Sequence, residues 1–303
     1  MNTKTPLYPR FAKLSKDHAG VLRDFVGGFP PYSDYSFASL YSWNSDGKTA
    51  LSFLHGNLVI KMKDYVEDKV IYTFLGENRV EDVADLLLRE TDSLKLVPEV
   101  VACRFKSLRR FRVQEDESNH DYILNLAGLA SYSGSLYKDK RYGNKRGRKL
   151  YKRIVFEKSA LDDSLSKSIN ALLNVWAKVK EEHRSDYEDL GLADLRAAIN
   201  RALELAGLEF VGAMRLVIDG RFAGFMVYEN LGQGYVAGHY INGDTLHFPY
   251  VYEILYNEIG RHFSALGFTF LNIEQDLGVP YLKKSKTKWG PDHFLKKYLL
   301  TRS

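Results

Sequence analysis

The stretch LEFVGAMRLVIDGRFAGFMVYENLGQGYVAGHYI, residues 208–241, decides how the rest of the chain is read. It divides into LEFVGAMRLVI (208–218), RFAGFMVYEN (221–230) and GYVAGHYI (234–241), each of strand length and rich in β-branched and aromatic residues. Asp219-Gly220 between the first two is a hairpin signal, because a tight turn of that kind needs positive φ at its centre; Leu231-Gly232-Gln233 separates the second from the third. Three consecutive strands are expected. GQGYVA (232–237) formally fits the dinucleotide fingerprint GxGxxA, but that motif must leave a strand and open a helix whose amino terminus holds a pyrophosphate. Here the glycines lead into a strand, so a turn is the better reading.

Downstream, Phe248, Val251, Tyr252, Leu255, Tyr256, Ile259 and Phe263 recur on one helical face, Gly267 closes the helix, and FTFLNIE (268–274) is the next strand. Upstream, Leu161, Leu165, Ile169, Leu172, Trp176 and Val179 mark one amphipathic helix, and Leu192, Leu195, Ile199 and Leu203 a second. The first half follows the same logic. LSFLHGNLVIKM (51–62) reads as a hairpin turning at Gly56-Asn57, VIYTFLG (70–76) as a third strand, and VEDVADLLLRE after Asn78 as a helix. PEVVACRF and DYILNLA (121–127) read as further strands. The fold class is therefore α/β (α+β), in two related units, 1–128 and 129–303, each a mixed, largely antiparallel sheet flanked by helices. Between them SYSGSLYKDKRYGNKRGRKLYKR (131–153) is a basic connecting segment, either a helix or a mobile connection, since Gly143 and Gly147 each weaken a helix by about 1 kcal/mol.

Composition bounds the function. With 45% apolar and 27% charged residues over 303 positions, bulk disorder is not expected. The single cysteine, Cys103, excludes an internal disulfide and a cysteine-based zinc cluster, and its apolar neighbours VVACRF suggest a buried structural thiol. The eight histidines show no HExxH-type spacing, so no metal site is expected; neither a GxSxG elbow nor a P-loop occurs. The amino terminus MNTKTPLYPRF lacks the apolar run of a signal peptide, and no window approaches the roughly 18 apolar residues of a membrane span. A cytoplasmic location without a membrane span is the expectation.

The net charge of +5 is unevenly spread: between Lys138 and Arg153 stand nine basic residues and one acidic residue. Like charges at that density repel unless something anionic compensates them. Tyr137, Tyr142 and Tyr151 are interleaved, offering ring faces to nucleic-acid bases or to a lipid headgroup region. A second charged segment is NIEQDLGVPYLKKSKTKWGP (272–291). If the strand continues, Glu274 and Asp276 emerge on one side of it, near the carboxyl end where α/β sheets bind ligands. Lys283, Lys284, Lys286 and Lys288 follow.

The tail LNIEQDLGVPYLKKSKTKWGPDHFLKKY resembles a bacterial family named for the carboxyl-terminal domain of phosphatidylglycerol lysyltransferases. That family's pattern, approximately N-x-E-Q-D-L-G-x-x-x-L-[RK]-K-x-K, maps on Asn272, Glu274, Gln275, Asp276, Leu277, Gly278, Leu282, Lys283, Lys284 and Lys286. YSDYSFASLYSWN (32–44), FLGEN (74–78) and SGSLYKDKRYGNK (133–145) agree with it as well. The resemblance implies two Gcn5-related N-acyltransferase-like folds in tandem. It also implies a transferase that moves an acyl or aminoacyl group from an anionic carrier to an amine or hydroxyl. NGDTLHF (242–248) lacks the [QR]-x-x-G-x-[GA] loop that seats coenzyme A, which favours aminoacyl-tRNA over acyl-coenzyme A as co-substrate. No permanently bound cofactor is expected.

On this reading Glu274 or Asp276 takes the acceptor's proton, and Asn272 or Tyr240 steadies the carbonyl oxygen. Lys138, Arg141, Lys145, Arg148, Lys283, Lys284 and Lys286 hold the carrier, with peripheral contact to anionic lipid as a further expectation. The alternative is a non-catalytic module binding tRNA, other nucleic acid or anionic lipid on the same fold.

Overall fold

The computed structural model describes residues 5–182 and 191–303. After β1 (Ala12–Lys13), α1 (Ala19–Val26) and α2 (Phe37–Trp43), the chain forms a meander of β2 (Ala50–Leu54), β3 (Asn57–Lys63) and β4 (Val70–Leu75). The β2–β3 hairpin turns at His55-Gly56, with φ of 52° and 80°, one residue earlier than expected. Asn57 is a strand residue instead: its buried amide donates to Leu54 O (2.9 Å) and Asn78 O (2.7 Å) and accepts from Asn78 N–H (3.0 Å). Helix α3 (Val80–Leu87) buries Val80, Val83, Ala84 and Leu87 and delivers the chain to β5 (Ser93–Pro98), parallel to β4.

PEVVACRF is not the strand expected. Pro98 ends β5, and the chain turns through α4 (Glu99–Ala102) and a 3-10 turn, Cys103–Phe105. Helical rather than alternating period then selects the inward residues, so Val101, Ala102 and Phe105 are buried while Cys103 is exposed. Next come β6 (Phe111–Glu115), β7 (Asp121–Asn125) and α5 (Leu126–Ser131). The basic tract is α6 (Lys138–Leu150), followed by β8 (Ile154–Ser159), α7 (Asp163–Glu182) and α8 (Leu192–Leu203). The three expected strands are β9 (Val211–Ile218), β10 (Arg221–Gly232) and β11 (Tyr235–Gly243), with Asp219-Gly220 at positive φ between the first two. Then α9 (Val251–Ala265) crosses over to β12 (Phe270–Asn272), and α10 (Pro280–Thr287), β13 (His293–Leu295) and β14 (Lys297–Arg302) complete the chain.

The chain forms two compact units, but a single cut at 128 does not separate them. Unit 1 runs to Tyr122 and takes up Glu274–Lys288 and His293–Ser303; unit 2 comprises Ile123–Ile273 and Trp289–Asp292. Strand exchange is the reason. The sheet of unit 1 has the order β1-β2-β3-β4-β5-β14-β6, so the last strand of the chain lies antiparallel on β5. In unit 2 the order β7-β12-β11-β10-β9-β8 places Ile123–Asn125 of β7 antiparallel on β12. Each unit thus has an antiparallel meander, a parallel β-α-β pair (β4-α3-β5 or β11-α9-β12) and an antiparallel strand beyond it. This is the mixed α/β plan of two related units, each a largely antiparallel sheet flanked by helices, that the sequence led us to expect.

The core of unit 1 is built from Phe74, Val83, Leu87, Leu94, Val97, Phe105 and Leu300. In unit 2, Leu165, Ile169, Leu172, Ala198 and Ile199 of α7 and α8 pack on Ala213, Phe225, Val227 and Tyr240 of the sheet. The tract 138–153 is helical in spite of its glycines, because they serve packing. Gly143 and Gly147, one turn apart, face α9: a Cβ on Gly147 would lie 2.9 Å from Ile254 Cδ1 and 3.0 Å from Tyr250 Cβ. Helix α5 also approaches α9 closely, since a Cβ on Gly260 would be 2.5 Å from Ala130 N, and the Asn257 amide donates to Leu129 O (2.9 Å) and Ala130 O (2.8 Å). No helix among the described residues is long and apolar enough to cross a membrane.

Gly260→Ala is expected to destabilise the protein by about 1–3 kcal/mol in urea unfolding, because the obstructing atom is backbone and cannot move aside. Gly20→Ala, with nothing within 4 Å of the added methyl, is expected to be neutral or to stabilise by up to about 1 kcal/mol. Equal midpoints for the two variants would contradict close α5–α9 packing as the role of Gly260.

Candidate functional site

Unit 1 buries a charged network drawn from four separate segments. Ser33 and Asp34 lie in a 3-10 turn (Ser33–Tyr35) that follows the Pro30-Pro31 pair. Asp121 opens β7, Gln275 follows β12, and Lys297 opens β14. Lys297 is fully buried and pairs with both Asp34 and Asp121, the latter at 2.7 Å. Asp121 also accepts from the Ser33 N–H (2.7 Å) and the Ser33 hydroxyl (2.6 Å). Gln275 bridges the rest: its amide nitrogen donates to Asp34 Oδ1 (3.0 Å) and its carbonyl accepts from Ser33 Oγ (3.0 Å).

Charges so far from water persist only where close partners and hydrogen bonds offset their desolvation, and here the lysine is shared by two carboxylates. Burial pushes the Asp34 carboxyl above its usual pKa, with Lys297 opposing the shift. Burial also disfavours the Lys297 ammonium, but Asp121 and Asp34 together outweigh it and raise that pKa.

The segment 274–288 does not continue β12. That strand ends at Asn272, and Glu274 and Leu277 take left-handed backbone conformations with φ of 59° and 57°. The two carboxylates therefore do not emerge together as strand alternation suggested. Asp276 turns inward: its Oδ2 accepts from the Tyr122 hydroxyl (2.5 Å) and its Oδ1 from Gly278 N–H (2.8 Å). Its backbone carbonyl accepts from Val279 N–H (3.0 Å), which closes the turn that starts α10 at Pro280. Burial, together with Asp276, pushes the Tyr122 hydroxyl up to about 12.

Glu274 is half-buried, and its charge acts on Lys286 and Tyr65. Lys286, also half-buried, has its pKa pulled down to about 8, chiefly by desolvation; Glu274, Asp121 and Asp276 oppose that shift and Lys297 adds to it. The Tyr65 hydroxyl is held well above its usual pKa by burial and by the charges of Asp34 and Glu274. Lys283 and Lys284 stand exposed on α10.

The structure brings Glu274, Asp276 and Lys286 together in unit 1, with Asp276 as a buried acceptor and Lys286 among carboxylates rather than on the surface. Asn272 and Tyr240 belong to unit 2 and are buried there, Tyr240 within the core against α7 and α8. Four expected carrier contacts lie on α6, of which Lys138 and Lys145 stand exposed with side chains in neither an ion pair nor a hydrogen bond among the described residues. Arg141 donates to the carbonyls of Tyr132 and Gly134, which ties down the turn before α6. Arg148 donates to Asn144 (3.0 Å) and Asn257 (2.9 Å) and pairs with Glu258, so it holds α6 on α9. Sequence reasoning missed Ser33, Asp34, Tyr65, Asp121 and Lys297 as a cluster. Asp34 and Lys297 stood inside stretches singled out for resemblance, but nothing in their spacing connects positions 34, 121 and 297.

The family described as "Phosphatidylglycerol lysyltransferase, C-terminal" matches residues 29–301. Among solved structures, a conserved protein of unknown function from Bacteroides thetaiotaomicron superposes with a TM-score of 0.79 at 21% identity, covering 97% of this chain and 99% of that one. L-PGS from Bacillus licheniformis gives 0.61 at 13% identity, with 96% and 92% covered. FemX gives 0.60 at 9% identity, with 97% of each chain covered. At these identities the likeness is one of fold. No curated protein matches the chain.

Lys297→Met is expected to cost about 3–5 kcal/mol in chemical denaturation, because it leaves two buried carboxylates without their cation. Lys286 gives a pH signature. Its folded-state pKa of about 8 lies below the ordinary 10.5, so between those values the unfolded chain holds more protons. Stability relative to Lys286→Met is therefore expected to be level below pH 8 and to rise as the pH climbs from about 8 to 10.5. A flat difference across that window would rule out the depressed ammonium.

Proposed function

Because the chain belongs to the family of the phosphatidylglycerol lysyltransferase carboxyl-terminal region, we propose that it is an aminoacyltransferase, moving an aminoacyl group from charged tRNA to an amine or hydroxyl acceptor. One observation carries this reading: Glu274 of the family pattern is held in a left-handed backbone conformation beside Lys286, whose pKa is pulled down to about 8. A non-glycine residue in that conformation costs about 1 kcal/mol or more, and such strain concentrates at functional positions.

In the proposed reaction the acceptor's nitrogen or oxygen attacks the ester carbonyl, and its proton passes to Glu274. When the carbon–oxygen bond to the carrier breaks, Lys286 gives a proton to the departing ribose oxygen. A lysine with a pKa of about 8 is suited to that step, because its acid and base forms are both populated close to neutral pH. Glu274 then returns its proton to Lys286, so the net change is acyl transfer alone. Asp276, with both oxygens engaged, positions the loop and is not the base. Lys283 and Lys284 on α10 offer their charges to the carrier's phosphates.

The β11–α9 corner supports tRNA over an acyl-coenzyme A donor. There the buried Asp244 carboxylate accepts from the N–H groups of Leu246 (3.1 Å) and His247 (3.0 Å) and meets His247 Nδ1 at 2.8 Å. A pyrophosphate in the turn before α9 would meet the negative charge of this carboxylate.

The test is incubation with labelled aminoacyl-tRNA and either phosphatidylglycerol or a small amine acceptor. Wild-type protein is expected to move the label. Glu274→Gln is expected to slow transfer about 100-fold or more with tRNA binding unchanged, whereas Asp276→Asn chiefly lowers the melting temperature. Equal binding of charged and uncharged tRNA with no label moved would sink the proposal in favour of a binding module.

A further inference from the structure

Asn272 and Tyr240, the donors that the sequence suggested for the carbonyl oxygen, are buried in unit 2, whereas Glu274 and Lys286 belong to unit 1. Unit 1 holds a donor of its own in Tyr65, on the loop from β3 to β4. Asp64 braces that loop. Its carboxylate accepts from the N–H groups of Val66 (2.9 Å) and Glu67 (2.9 Å) and from the Lys95 ammonium of β5 (2.8 Å). The Tyr65 ring meets Trp43, the last residue of α2, edge to face at 6.3 Å. Backbone and ring are thus both held in place.

The Tyr65 hydroxyl is buried and has no hydrogen-bond partner among the described residues. Asp34 and Ser39 are its polar neighbours, but neither stands at hydrogen-bonding geometry to it. The buried network does not need it, because Asp34 Oδ1 already accepts from Gln275 and Oδ2 pairs with Lys297. A buried donor left without an acceptor costs the desolvation that a bond would offset, and a ligand's acceptor removes that cost. Burial and the charges of Asp34 and Glu274 hold the phenol well above its usual pKa. Near neutral pH it therefore keeps its proton and acts as a hydrogen-bond donor only.

We propose that the Tyr65 hydroxyl donates a hydrogen bond to the carbonyl oxygen of the aminoacyl ester and holds it as it becomes an oxyanion. This rests on the transfer reaction proposed above and supplies the donor that reaction needs. No bond to Tyr65 forms or breaks. As the acceptor attacks, the carbonyl π electrons move onto the oxygen that faces the phenol, and they return when the carrier's oxygen leaves. Glu274 is neutral while it holds the acceptor's proton, so the oxyanion does not form beside an ionised base. Gln275 joins Glu274 in the chain to Asp34, the neighbour of Tyr65, so base and donor are set by one network. A donor fixed in advance needs no reorganisation when charge develops.

Two analogues of an aminoacylated adenosine test this: a planar amide, and a phosphonate whose tetrahedral P–O⁻ stands in for the oxyanion. Tyr65→Phe is expected to bind the phosphonate about 100-fold more weakly than wild type does, and the amide within about threefold. Transfer from labelled aminoacyl-tRNA is expected to show the same split, kcat falling about 100-fold with KM nearly unchanged. The melting temperature is expected to hold or rise, because the variant removes a buried hydroxyl that bonds nothing. Equal phosphonate affinity in the two proteins would overturn the proposal. So would a lower melting temperature with both analogues weakened alike, which would assign the hydroxyl to the Asp34 network. A wild type that moves no label, but whose phosphonate binding depends on Tyr65, sinks the reaction and leaves the donor. Undiminished transfer by Tyr65→Phe beside a slow Glu274→Gln sinks the donor and leaves the base.

Discussion

Lys297, fully buried between Asp34 and Asp121, is the interaction on which the arrangement of unit 1 depends. A lone ammonium in that position would be prohibitive, and so would either carboxylate without it. Its partners come from a 3-10 turn near the amino terminus and from the first residue of β7, so the ion pairs form only when β14 has come back to lie on β5. Gln275 is tied into the same network, and its immediate neighbour is Glu274. The carboxylate proposed as the base is thus positioned by a buried network one residue away, while its own side chain is only half-buried. That combination suits a group that must accept and release a proton without moving.

The strand exchange follows from the same constraint. Hairpins and helices were legible because each is written locally: positive-φ turns at Asp219-Gly220, apolar spacing in α3, α8 and α9, and a family pattern at 272–286. The unit boundary was not legible. Strand β14 reads like the natural continuation of the second half, but the cation it supplies beside Asp34 and Asp121, its apolar residues Tyr298 and Leu300 and its pairing with β5 and β6 all place it in the first. A lysine in LKKY looks the same in sequence whether it ends in solvent or beneath a sheet.

The glycines of α6 show the opposite case, in which a local signal was read correctly and then outweighed. Gly143 and Gly147 do lower helix propensity. Their common face nevertheless lets the α6 backbone approach Tyr250, Glu253 and Ile254 of α9, and the Arg148 contacts to Asn257 and Glu258 reinforce it. Tertiary packing compensates for the weak propensity, and the same geometry turns the remaining cations outward. Charge density was visible from the sequence, but its division between cations held against α9, such as Arg148 and Lys140, and outward ones, such as Lys138, Lys145 and Lys149, required the helix phase.

The two parallel β-α-β corners also bear on how a carrier can be held. In many α/β proteins such a corner offers free N–H groups to phosphate. Here the turn that leads into each helix is capped by a side chain of the chain itself. In unit 1, Asn57 takes the Asn78 N–H before α3; in unit 2, Asp244 takes those of Leu246 and His247 before α9. The first cap is neutral and the second is anionic. For the carrier proposed above, Lys283 and Lys284 on α10 lie within the segment that also supplies Glu274 and Lys286. Binding through such side chains follows a flexible polyanion better than a fixed cradle does, and it makes affinity fall with rising salt.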